Sequence, residues 1–144
     1  MRVSAKAQYA CVAMLELAGR GAEARVVQVK TIAEAHGISQ RFLVQILLQL
    51  KTGGLVSSVR GAAGGYQLTR TPEAVSLADV INAIDDRTLT PSTSLGKVSA
   101  SGVVEALLGV WKDVQAEEQR MLEQLSLAEL LRRAQRDSAL VYQI

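Results

Sequence analysis

Arg41 and Gln45 lie four residues apart in "SQRFLVQILLQL" (39–50), with Gln40 just ahead of them. On a helix, a spacing of four stacks two side chains on one face. A guanidinium can donate twice to the O6/N7 edge of guanine, and a carboxamide can pair with N6/N7 of adenine. Downstream, Arg60 closes the apolar stretch "LVSSVR" and opens a turn of Gly61, Ala62, Ala63, Gly64 and Gly65 before "YQL". A tip with so little side-chain bulk lets its backbone come close to something large. An arginine there suits a phosphate or a narrow minor groove. These residue types point to the reading of a nucleic acid.

Other chemistries fit less well. A phosphate loop needs G-x-x-x-x-G-K-[ST] between a strand and a helix. "RGAAGGYQL" has no lysine and runs into a strand pattern, and "LGKVS" (95–99) lacks both the upstream glycine and a Ser/Thr after its lysine. One His and one Cys, with no acid pair at an identifiable cleft, make no catalytic constellation. The chain does not read as an enzyme. Cys11 lies within an apolar helical pattern and reads as a small buried hydrophobe, with a redox-sensing thiol as the alternative. His36 ends a helix beside a turn, where a solvated or capping role is expected.

The elements that must position these groups follow from periodicity and caps. Ser4 opens a helix to about Gly19, with Tyr9, Val12, Ala13 and Leu17 on one side. Thr31 with Glu34 has capping-box spacing and is expected to start a second helix that stops at Gly37. Ser39 caps a third, running to "TGG" (52–54). Ala33 is small where two helices cross, and Gly37 can adopt the left-handed conformation of the turn. Ile38, Leu43, Ile46, Leu47 and Leu50 are expected inside; Gln40, Arg41, Val44, Gln45, Leu48 and Gln49 outside. Strands at about 55–60 and 65–69 follow. A helix-turn-helix with such a hairpin is a winged helix, although an ordinary pair of antiparallel helices has the same first half.

Ser76 with Asp79 marks another helix, carrying Leu77, Val80, Ile81 and Ile84. "RTLTPSTSLGKVSAS" (87–101) reads as a loop. A long amphipathic helix is expected from about Gly102 to Leu125. Val104, Leu107, Leu108, Trp111, Val114, Met121, Leu122 and Leu125 form its apolar stripe, longer than a small domain needs for its own core. Ser126 and Glu129 cap a last short helix before the tail "DSALVYQI". The predicted fold is mainly α with a small hairpin. Residues 1–86 are the winged domain, 87–101 a loop, and 102–144 the long helix, short helix and tail.

Composition agrees. With 49% hydrophobic and only 3% aromatic residues, the core must be aliphatic. Residues 1–70 hold nine Lys/Arg against three acids (+6), and residues 71–144 hold seven against eleven (−4). Only the first half is suited to a polyanion. No apolar run approaches the roughly 20 residues of a membrane span, there is no signal-peptide layout, and one cysteine fits a reducing cytoplasm.

"MRVSAKAQYACVAMLELA", "IAEAHGISQRFLVQILLQLKTGGLVSSVRGAAGGYQLTR", "VSLADVINAIDD" and "SLAELL" together resemble the Rrf-two (Rrf2) family of bacterial transcription regulators. The resemblance implies a homodimeric winged-helix repressor in the cytoplasm, its long helices crossing, bound to a palindromic operator in double-stranded DNA. By matching position it implies DNA contacts from Arg2 and Lys6, from Ser39, Gln40, Arg41 and Gln45, and from Arg60, with Gly61, Gly64, Gly65 and Tyr66 completing the wing. Some members carry glutamate where this chain has Val44. A valine can meet a thymine methyl but cannot accept from cytosine N4, which leaves the operator sequence open.

Cluster-binding members carry three cysteines in the loop before the long helix. Here that loop has no Cys and no His, and the expectation is no iron–sulfur cluster and no other cofactor. The chain is most similar to the members without cluster ligands, which act on cysteine metabolism with cysteine synthase as partner. That likeness implies that Tyr142, Gln143 and Ile144 insert into the enzyme's substrate site. The other reading of this tail is packing of Leu140, Val141 and Tyr142 on the dimer helices. A redox- or small-molecule-sensing regulator, and an interaction module that binds no DNA, are the alternatives for the whole chain.

Overall fold

A computed structural model describes residues 2–20, 26–85 and 101–142, the last four of these as backbone only. The order is α1 (Ala5–Gly19), α2 (Val29–His36), α3 (Gln40–Thr52), β1 (Val56–Val59), β2 (Gly65–Leu68), a 3-10 turn (Pro72–Ala74), α4 (Leu77–Ile84), α5 (Gly102–Gln124) and α6 (Leu127–Tyr142). The mainly helical fold with one antiparallel hairpin is the expected one. Residues 87–100 of the expected loop, and Gln143 and Ile144 of the tail, lie outside the described residues.

Local chemistry explains most of the helix starts. Ser4, Ser39 and Ser101 accept hydrogen bonds from Ala7 N, Phe42 N and Val104 N. Ser76 and Asp79 form a reciprocal capping box, Asp79 standing in for the usual glutamate. Ser126 Oγ accepts from Glu129 N at 3.1 Å. One start differs from expectation. Thr31 lies inside α2, which begins at Val29 with Gln28 as its N-cap. The cause is long-range: Val27 N donates to Tyr66 O (2.8 Å) and Tyr66 N donates to Val27 O (2.9 Å), so the residue two before α2 is pinned to the wing by a single isolated antiparallel bridge. This pairing sets where α2 begins. The last helix also departs from the short one expected, running 16 residues to Tyr142, so that most of the supposed tail is helix.

The core is aliphatic. Ala10, Ala13, Met14 and Leu17 of α1 meet Ile32, Ala33 and Ile38, the inner face of α3 (Leu43, Ile46, Leu47, Leu50), and Leu55, Val56, Val75 and Val80. Leu127, at the start of α6, belongs to the same cluster and is fully buried. The elbow between α5 and α6 is held by backbone: Leu77 N donates to Leu125 O (2.8 Å) and Leu127 N to Val75 O (3.0 Å).

Gly65 shows how tightly Val27 lies on the wing. A Cβ at Gly65 would overlap the Val27 carbonyl, whose oxygen already accepts from Tyr66. Gly65→Ala is expected to separate Val27 from β2 and to cost more than about 1 kcal/mol, read as a lower midpoint in urea unfolding. An unchanged midpoint would show that Val27 has room to move.

Candidate nucleic-acid interface

The turn between α2 and α3 is built as the sequence suggests. Gly37 takes φ 63° and donates its N–H to Ala33 O, closing α2. Ile38 dips into the core, and Ser39 restarts the chain as α3. With Leu43, Ile46, Leu47 and Leu50 all fully buried, the rotation of α3 about its axis is fixed. Gln40, Arg41, Val44, Gln45 and Leu48 are exposed, as expected, while Gln49 is half-buried. Ser39 is exposed, but its oxygen accepts the Phe42 N–H as a cap. Arg2, ahead of the Ser4 N-cap, is exposed, and Lys6 is half-buried on the first turn of α1.

The wing is an antiparallel pair in the register Val56↔Leu68, Ser57↔Gln67, Ser58↔Tyr66 and Val59↔Gly65. Arg60 is exposed where β1 ends. The three wing glycines divide in role. Gly61 (φ 107°) needs the conformation glycine tolerates and has open space around its Cα. A side chain on Gly64 would overlap backbone of Val59, and one on Gly65 would overlap Val27. Gly64 and Gly65 are therefore required by packing inside the protein, whatever approaches the tip. Tyr66, half-buried, gives both backbone groups to Val27.

Three braces escaped sequence reasoning. Gln28 Nε2 donates to Ala62 O (3.1 Å), holding the tip to the N-cap of α2. Lys51 Nζ donates to Ser58 Oγ (2.8 Å), joining the end of α3 to the wing. Thr69 Oγ1 donates to Gly54 O (2.6 Å) at the wing's base. The β-branched pair Val26–Val27 could have hinted at the bridge. The side-chain braces leave no local sequence signal.

His36 is neither simply solvated nor a cap. Its Nε2 lies 2.9 Å from Glu16 Oε2, while Arg20 donates to Glu16 Oε1 at 2.6 and 3.0 Å. Partial burial pushes the Glu16 pKa up, and the hydrogen bonds from His36 and Arg20 more than offset it, leaving the carboxyl below its ordinary value. The His36–Glu16 hydrogen bond ties the end of α1 to the end of α2.

Cys11, half-buried in α1, packs against both hydrophobic clusters. Burial, with the Asp85 charge behind it, pushes the thiol pKa up to about 11. A thiolate-held iron–sulfur cluster does not fit this donor set: the whole sequence offers one thiol and one imidazole, the thiol is held protonated, and the imidazole faces Glu16. Among the described residues no group of three or more His, Cys, Asp or Glu could hold a metal ion.

A helix-turn-helix with an arginine-tipped wing defines a winged-helix DNA-binding transcription regulator, not an enzyme. The model of the family described as "Iron-dependent Transcriptional regulator", Rrf2, matches residues 3–133. The chain belongs to the Rrf2 family. It is 42% identical over 131 residues to a Mycobacterium tuberculosis chain named as an HTH-type transcriptional regulator, covering 90% of this chain and 81% of that one. It is 35% identical over 132 residues to IscR of Escherichia coli, covering 91% and 80%. Among solved structures it resembles IscR of T. potens (34% identical, TM-score 0.72, covering 93% and 88%). It also resembles CymR of B. subtilis, titled the global cysteine regulator (26%, TM-score 0.71, covering 90% and 95%).

The raised thiol pKa gives a direct test of Cys11. Two units above the ordinary 9.0, the native thiolate population is about a hundredfold smaller at neutral pH. Iodoacetamide should label the folded protein slowly at pH 7.5, label it readily in urea, and label the folded form faster as pH rises toward 11. Fast labelling of the folded form at pH 7.5 would restore Cys11 as a candidate redox sensor.

Proposed function

We propose that the protein is a homodimeric transcriptional repressor acting in the cytoplasm on palindromic operators. The observation that carries this reading is the exposed face of α3, with Arg41, Val44 and Gln45, beside a braced wing that ends on Arg60. In each protomer α3 enters the major groove and the wing follows the backbone or the minor groove. Arg2 and Lys6 add phosphate contacts from α1 and the segment before it. Dimerisation is supported by α5, where Val103, Leu107, Val110, Trp111, Val114 and Met121 are all at least 40% exposed. Six large apolar side chains along one helix make a patch that calls for a partner. Leu122 stands apart from this stripe, since it is buried in its own protomer against Ala78 and Ile81. A two-fold axis between two α5 helices gives two reading heads and therefore a palindromic site.

Residues 1–86 serve as the reading domain, and 102–144 as the dimerisation segment, with the first turn of α6 anchored in the core of the former. Arg60→Ala is expected to weaken binding to a duplex selected by the protein from a random pool by about 1–3 kcal/mol, and to flatten the dependence of affinity on salt. Unchanged affinity and salt slope would remove Arg60 from the interface. A protein that enriches no duplex from the pool would favour the interaction module instead.

The regulated genes are proposed to serve cysteine metabolism. Similarity to the B. subtilis cysteine regulator and the lack of cluster ligands support this over a cluster-sensing role. The companion proposal, that Tyr142, Gln143 and Ile144 enter the substrate site of cysteine synthase, concerns side chains outside the described residues. Calorimetric titration with cysteine synthase tests it. Binding lost on deletion of Ile144, or on adding O-acetylserine, is the expected result, and no heat from either form would reject the complex.

A further inference from the structure

The apolar pattern of α1 groups Tyr9 with core residues, yet the structure puts it elsewhere. Ala10, Ala13, Met14 and Leu17 fill the core, while Tyr9 is 43% exposed. Its ring meets Phe42 edge-on, with centroids 5.8 Å apart and planes at 89°. Phe42 is the third residue of α3, and its N–H is the one that Ser39 caps. Tyr9 therefore stands against the first turn of α3, the end that a recognition helix presents to the groove. Lys6 lies one turn earlier on α1, on the same side as Tyr9, and Arg2 precedes it. Among the described residues no group pairs with the Tyr9 hydroxyl.

We propose that Tyr9 is a further DNA-contacting residue: its hydroxyl donates to a phosphate at the rim of the major groove, and its ring sets the entry angle of α3 through Phe42. The inference rests on the DNA-reading assignment above. A phosphate is the fitting acceptor because α1 flanks the reading helix instead of entering the groove, and the groove's rim is lined with phosphate oxygens. Lys6 and Tyr9 then share one side of α1, with Arg2 in the segment before its N-cap, and this side continues onto the first turn of α3. The edge-to-face contact gives the tyrosine a positioning role that a surface hydroxyl alone would lack.

The test uses the full-length protein and a duplex it selects from a random pool, with Tyr9→Phe and Tyr9→Ala compared at matched thermal stability. Tyr9→Phe keeps the ring and removes only the hydroxyl. It is expected to lose about tenfold in affinity, on the selected duplex and on mismatched duplexes alike, because a phosphate contact carries no sequence information. On a series of duplexes each bearing a symmetry-related pair of neutral methylphosphonates, one in each half-site, the loss should vanish at one such pair. Tyr9→Ala should lose affinity further and relax the preference at the base pairs nearest the N-terminus of α3. Wild-type affinity in Tyr9→Phe would overturn the contact and leave the ring a packing element. A Tyr9→Phe loss that persists on every methylphosphonate duplex would overturn the phosphate as acceptor. If the wild type selects no duplex, the DNA-reading assignment falls first, a result distinct from either of these.

Discussion

The dry face of α3 governs the rest of the molecule. Leu43, Ile46, Leu47 and Leu50 are each fully buried, and each contributes on the order of 1.5–3 kcal/mol that would be lost if the helix turned. That energy fixes the rotation of α3. Each residue step on a helix is about 100°, so a slip of one position would bury Val44 or Gln45 and expose a leucine. The outward placement of Arg41, Val44 and Gln45 is thus a consequence of aliphatic packing, not of any interaction those three residues make. The same face also carries the wing, because Leu55 and Val56 join this core and Leu55 N donates to Leu50 O.

The wing is an arm with three supports. A two-stranded hairpin alone is marginally stable in water. Here Val27 adds a one-residue bridge to Tyr66, Gln28 holds the tip at Ala62, and Lys51 grips Ser58 from the end of α3. Arg60 is consequently carried at a set position relative to the reading helix. A braced arginine loses less conformational freedom on meeting phosphate than one on a loose loop. Gly64 and Gly65 belong to this bracing. They look in the sequence like residues kept small for a ligand, and only the path of the backbone shows that they are small for the protein itself.

What the sequence discloses and what it hides divide by the range of the interaction. The α3 face, the Gly37 turn, the hairpin and the caps at Ser4, Ser39, Ser76 and Ser126 obey rules that span at most a few residues, and all are legible. Thr31 is misread as a helix start because the true start is imposed by Val27 pairing with Tyr66, 39 positions away. The Glu16–His36 bridge joins residues 20 apart in the chain and has no local mark. Tyr9 is misplaced for a related reason. Periodicity places it at the edge of the apolar side, but α1 is lined by alanines, and the core closes around Met14 before reaching the larger ring. In an alanine-rich helix the widest side chain need not be the most buried.

The elbow between α5 and α6 connects the reading domain to the proposed dimer. α5 is not tethered by a loose linker at its C-terminal end. Leu122 is buried on Ala78 and Ile81, Leu127 sits in the main core, and two backbone hydrogen bonds tie the elbow to Val75 and Leu77. The direction of α5 relative to α3 is therefore set within one protomer. When two α5 stripes pair about a two-fold axis, the separation and tilt of the two α3 helices follow from that fixed direction. Half-sites on one face of B-DNA lie about 34–36 Å or a multiple of it apart, so in the proposed dimer the α5 pairing has to set the two heads at such a spacing. In the proposed dimer, a change in how the α5 helices pack would shift both α3 helices, because Leu122, Leu127 and the two elbow hydrogen bonds fix each α5 to its own reading domain.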